Sequence, residues 1–148
     1  MNFASPLSGI LARTVGLALI AALAIAPSSV QASEALLERW YAALFAVDRP
    51  AIEALLDERA VIELEDLGVT QTKAEFITAL DEWEVIAGDA NLAWQLDPEA
   101  EASDIQATAL VCYRFTDNEL MIREIFNFEN ALIVRSVQTT IGESCDDF

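Results

Sequence analysis

The chain has 148 residues, with 25 acidic against 8 basic side chains, no histidine and a net charge of −17. So acidic a surface repels phosphate backbones and anionic lipid, which argues against nucleic acid as a partner. Two cysteines without any histidine leave no workable zinc ligand set. At this length a single domain is expected, and an apolar content of 54% is ample to fill one core.

Residues 1–32 read as a cleavable signal peptide. Arg13 is the only charge of the opening stretch, the apolar run from Val15 to Ala26 is too short to span a bilayer, and Pro27, Ser28 and Ser29 follow it. Small residues at Val30 and Ala32 suit signal peptidase, so the cut is expected between Ala32 and Ser33. The mature domain, residues 33–148, would then be periplasmic or secreted, without membrane contact. Losing the leader removes Arg13 and no acid, which leaves the mature chain more negative still.

Helical patterns come first along the domain. Leu36, Leu37, Trp40, Tyr41, Leu44 and Phe45 recur at the spacing of one wide apolar stripe, predicting a first helix that ends near Val47. Asp48 is a cap for a short second helix with Pro50 in its first turn and Ile52, Leu55 and Leu56 on its buried side. Val61 to Glu65 switches to period two, with Ile62 and Leu64 on one face and Glu63 and Glu65 on the other. Gly68 turns the chain. Thr72 and Glu75 form a capping box ahead of a third helix carrying Phe76, Ile77, Leu80 and Trp83.

Strand patterns follow Gly88. Leu92, Trp94 and Leu96 alternate up to Asp97-Pro98, and an acidic loop comes next. Its Asp97, Glu99, Glu101 and Asp104 lack a glycine-turned calcium loop and read as solvated charges. Three strands are then predicted, Ile105 to Phe115, Glu119 to Phe128 and Leu132 to Ile141. Turn formers at Asp117-Asn118 and around Asn130 separate them, so they form consecutive antiparallel hairpins. In an oxidising compartment Cys112 and Cys145 are expected to form a disulfide on the outer side of the sheet. The distance the tail must cover to reach Cys112 is the obstacle to it.

The residues Trp40-Tyr41, Asp48 through Leu56, Ala60 to Leu64, Thr72 to Phe76 and Phe126 through Ile133, in this order, resemble the nuclear transport factor 2-like superfamily. That superfamily includes ketosteroid isomerases and SnoaL-type polyketide cyclases. The resemblance covers essentially all of the mature chain. It implies an α+β fold in which three N-terminal helices pack in a strongly curved antiparallel sheet, a cystatin-like cone with a ligand pocket at its open end. Where the isomerases place a tyrosine, the chain offers Trp40, with Tyr41 turned about a hundred degrees away. Where they place an aspartate base it has Leu64, and Glu63 and Glu65 face the other way. The cyclases' histidine has no counterpart. Glu124 matches the isomerases' second acid.

The residues alone also single out Glu124. It interrupts the apolar row Leu120, Ile122, Phe126, Phe128, and on the next strand Arg135 interrupts the row Ile133, Val137, Thr139, Ile141. Turn centres at Glu129-Asn130 or at Asn130-Ala131 both leave the two charges on one face, directly opposite or diagonal. The expected pocket is lined by Trp40, Leu64, Trp83, Tyr113, Ile122, Glu124, Phe126, Arg135 and Val137. Its expected occupant is a small, mostly apolar molecule held without catalysis, with no cofactor and no metal. Two alternatives stand beside this reading. One is an isomerase or dehydratase using Glu124 as acid and Tyr41 as hydroxyl donor; the other is a dimeric adaptor joined through Leu110, Met121, Ile125 and Val134 on the outer face.

Overall fold

The computed structural model describes residues 28–146 and 148. The expected leader's charged start and apolar run lie outside the described residues. Helix α1 covers Ser29–Ala46 and is opened by a capping box between Ser28 and Gln31, so the expected cut at Ala32 falls within its first turns. It buries Leu36, Leu37, Trp40, Tyr41, Ala43 and Leu44, and stops at Val47, which takes the left-handed conformation at φ 54°. Asp48 accepts from the Ala51 amide and opens α2, Arg49–Leu55, with Pro50 in its first turn.

Strand β1, Leu56–Leu64, follows α2 directly and starts earlier than Val61, the expected beginning. A 3₁₀ turn at Glu65–Leu67 closes on Gly68, whose φ of 60° suits glycine. A short strand that alternation does not mark, β2, spans Val69–Thr72. Thr72 and Glu75 make the second capping box and open α3, Lys73–Ala87. Then come β3 (Asn91–Leu96), β4 (Gln106–Arg114), β5 (Glu119–Glu129) and β6 (Leu132–Gly142).

The six strands form one sheet in the order β2-β1-β6-β5-β4-β3. Its inner residues join the buried sides of the three helices in one core, an α+β arrangement. One pairing departs from the expected antiparallel sheet. Strand β6 lies parallel to β1, so the sheet is mixed. The long excursion through β2, α3 and β3 to β5 supplies the crossover that a parallel pair requires.

The hairpin between β5 and β6 turns at Asn130 and Ala131, with φ of 51° and 60°, and pairs Glu129 with Leu132 and Phe128 with Ile133. The next pair is Asn127 with Arg135, which leaves Val134 as one extra residue on β6. Such a bulge sends the side chains that follow, from Arg135 to Thr140, to the opposite face, until a second shift at Ile141. Ser136 and Gln138 therefore point inward where Arg135 and Val137 were expected. Glu124 stands opposite Gln138.

The tail after β6 folds back over the outer face of β5. Cys145 bridges to Cys112 on β4 with Cα atoms 5.8 Å apart, and the Cys145 amide donates to Glu119. Met121, the partner of Cys112 across β4 and β5, is buried beneath this crossing together with both cysteines. The tail reaches β4 by passing over the intervening strand, which resolves the expected difficulty of distance.

Candidate functional site

A cavity of about 330 Å³ opens between α1, α3 and the inner face of the sheet. Leu44 from α1, Phe76, Leu80 and Trp83 from α3, Leu64 from β1 and Tyr113, Leu120 and Ile122 from β4 and β5 give it an apolar wall. Each reaches the wall by the period of its own element. Leu64 is two residues beyond the buried Ile62, Tyr113 two beyond Val111, and Leu80 and Trp83 lie four and seven beyond Phe76. The polar groups on the wall are Gln71, Glu82 and Gln138 besides the Tyr113 hydroxyl. The indole nitrogen of Trp83 donates to the Leu44 carbonyl at 2.7 Å, which fixes its ring, and Tyr113 meets that ring edge-on at 5.7 Å. Phe115 stacks on Tyr113 at 6.1 Å and extends the aromatic side of the wall.

Glu124 is fully buried, in the core and off the cavity wall. Its Oε2 accepts from the Tyr41 hydroxyl at 2.8 Å, and its Oε1 accepts from Ser136 Oγ at 2.5 Å and Gln138 Nε2 at 3.0 Å. Burial holds the carboxyl above the ordinary glutamate range, against the opposing pull of Ser136, Tyr41 and Gln138. The same burial, helped by the charge of Glu124, raises the phenols of Tyr41 and Tyr113. Gln138 belongs to both environments: it lines the cavity and bonds the buried acid.

Tyr41, expected to turn away, is thus the residue of α1 that meets the acid. The stripe of α1 is wide enough to bury neighbours a hundred degrees apart. Trp40 occupies the core, stacked on Phe76 at 5.7 Å and edge-on to Phe126 at 6.0 Å, with its indole nitrogen unpartnered among the described residues. Phe126, likewise fully buried, is absent from the cavity wall.

The expected partnership of Glu124 and Arg135 is corrected. The bulge at Val134 puts Arg135 on the outer face, where its guanidinium grips Glu63 with two bonds of 2.7 and 3.0 Å. That grip lowers the Glu63 carboxyl below its ordinary range. Val137 moves with Arg135 and lies on the outer side between Ile125 and Glu63. Asp97, read as a solvated member of the acidic loop, is buried and paired with Arg123 at 2.9 Å. Arg123 stands outward on β5, and Asp97 accepts from the Glu99 amide as the loop begins. Ser136 and Gln138 were missed as site residues, although two polar residues spaced by two on a long strand were the available signal.

No family model matches the chain, and no curated protein matches it. Solved structures do. A candidate ketosteroid isomerase from Kribbella flavida is 19% identical, with 79% of this chain and 83% of that one covered at a TM-score of 0.67. An NTF-2-like protein of unknown function from Burkholderia xenovorans is 13% identical over 80% and 91%, with a TM-score of 0.63. A candidate polyketide cyclase from Xanthomonas campestris is 19% identical over 75% and 91%, at 0.56.

Proposed function

We propose that this chain, whose nuclear transport factor 2-like fold those likenesses establish, is an exported binding protein that holds one small, largely apolar molecule without transforming it. The observation that carries this reading is the division of labour between wall and core. The wall is apolar and aromatic, of a size common for small-molecule sites. The buried acid lies behind it with both oxygens occupied by Tyr41, Ser136 and Gln138. A general acid must come within hydrogen-bonding reach of the atom it protonates. Glu124 as acid and Tyr41 as hydroxyl donor have no face on this wall, so an isomerase or dehydratase would have to open the core first.

The leader pattern of residues 1–32 and the Cys112–Cys145 bridge support the exported part of this reading. One experiment tests processing and binding together, a native mass spectrum of the protein recovered from the periplasm or medium. The expected result is a chain starting at Ser33, lighter by the two hydrogens of its disulfide and carrying a retained small molecule. Ala79→Trp, which thrusts an indole into the cavity from α3, should release that molecule without loss of folding. Retention of the same molecule by a folded Ala79→Trp protein would place the binding elsewhere.

A further inference from the structure

The wall of the cavity carries charge of one sign. Among the described residues that line it no lysine or arginine occurs, while Glu82 does, on the exposed side of α3 and without an ion-pair partner. The basic side chains of the described residues lie elsewhere: Arg39 donates to the Ala35 carbonyl on α1, and the others pair with acids. Arg49, Arg59, Lys73, Arg114, Arg123 and Arg135 are each tied to an acid outside the cavity. The same wall carries aromatic rings in two orientations, with Trp83 85° from Tyr113 and Phe115 stacked nearly parallel to Tyr113. Ring faces carry partial negative charge and attract cations. The net charge of −17 adds a field that concentrates cations at any cleft on the molecule.

An anion entering here would meet a carboxylate and aromatic rings, with no lysine or arginine on the wall to answer it. A neutral molecule would gain the apolar wall and the amides of Gln71 and Gln138, but would leave Glu82 unused. We propose that the molecule held in the cavity is an organic cation, a hydrophobic amine or quaternary ammonium, with Glu82 and the aromatic rings as the counterpart of its charge. Its apolar body packs against Phe76, Leu80 and Ile122. This deepens the reading of the cavity as a binding site and rests on it.

The test compares benzyltrimethylammonium with neopentylbenzene, its neutral isostere, and with benzylsulfonate, an anion of similar size. Tryptophan fluorescence reports binding, for the wild type, Glu82→Gln and Ala79→Trp. The cation should bind at least about tenfold more tightly than the isostere, the gain expected of a carboxylate and ring faces acting together. The anion should bind most weakly. Glu82→Gln should narrow the gap by weakening the cation alone, and Ala79→Trp should abolish binding of both cation and isostere. Equal binding of cation and isostere, both lost in Ala79→Trp, would overturn the charge preference and leave the cavity as a binding site. Binding of none of the probes, or binding that survives Ala79→Trp, would overturn the cavity reading and this inference with it.

Discussion

Glu124 carries a titration signature of definite sign. Its folded value lies above the ordinary one near 4.5 because burial outweighs its three donors, so the native state holds this proton more tightly than the unfolded chain does. The stability it contributes is complete below the unfolded value and is lost as the pH rises through the folded value. Glu124→Gln removes the titration while keeping an acceptor oxygen for the neighbouring hydroxyls. Its melting temperature should therefore gain on the wild type as the pH is raised from about 4.5. A difference constant with pH would mean that the carboxyl ionises as readily in the fold as outside it. The anomaly of Glu124 was legible in the sequence because a carboxylate in an apolar row is expensive unless answered. What answers it was not legible, since Ser136 and Gln138 take the inward places of the neighbouring strand only through the bulge at Val134, and Tyr41 comes from a helix 83 residues away.

Strand β6 shows how one inserted residue decides a site. Its sequence offers Ile133, Val134, Val137 and Ile141, apolar residues on both alternating faces, so the pattern fits either register and conceals the bulge at Val134. The helices were easier to read. Capping residues at Asp48 and Thr72 and stripes of apolar residues are local signals, and they placed α2 and α3 without knowledge of the sheet. Strand β2 was harder, because Thr70 to Thr72 is a polar run recruited by pairing with Val61 to Glu63, and so was the start of β1, where the polar run Asp57 to Arg59 spans an irregularity in the pairing with β6. The bulge has a measurable consequence. With Arg135 half-exposed against Glu63, Arg135→Met should cost less than about 1 kcal/mol in urea unfolding and leave ligand retention intact. A buried pair with Glu124 would instead lose roughly 3 to 5 kcal/mol on the same substitution.

At the scale of the whole molecule the tail competes with any partner for the outer face. Of the residues expected to join two copies, Met121 is buried under Cys145 and the end of the chain, while Leu110, Ile125 and Val134 remain half-buried. The bridge closes a loop with a sequence separation of 33, for which the chain-entropy account gives about 3.5 kcal/mol. Replacing both cysteines by alanine should lower stability by an amount of that order. It should also uncover Met121, which protection of its thioether from peroxide in the wild type, and oxidation in the variant, would report. Equal oxidation of both proteins would show that the tail does not cover the strand.

The same bridge makes the end of β4 from Cys112 onward, with β5 and β6, segments of a covalent ring that has both hairpin turns inside it. A protease that cut at Asp117-Asn118 or at Asn130-Ala131 would open the ring without dividing the molecule. The nicked protein would keep its full mass on a non-reducing gel and separate into two pieces only after reduction. Were the domain exported, as proposed, and so exposed to extracellular proteases, such cuts would leave scars and release no fragment.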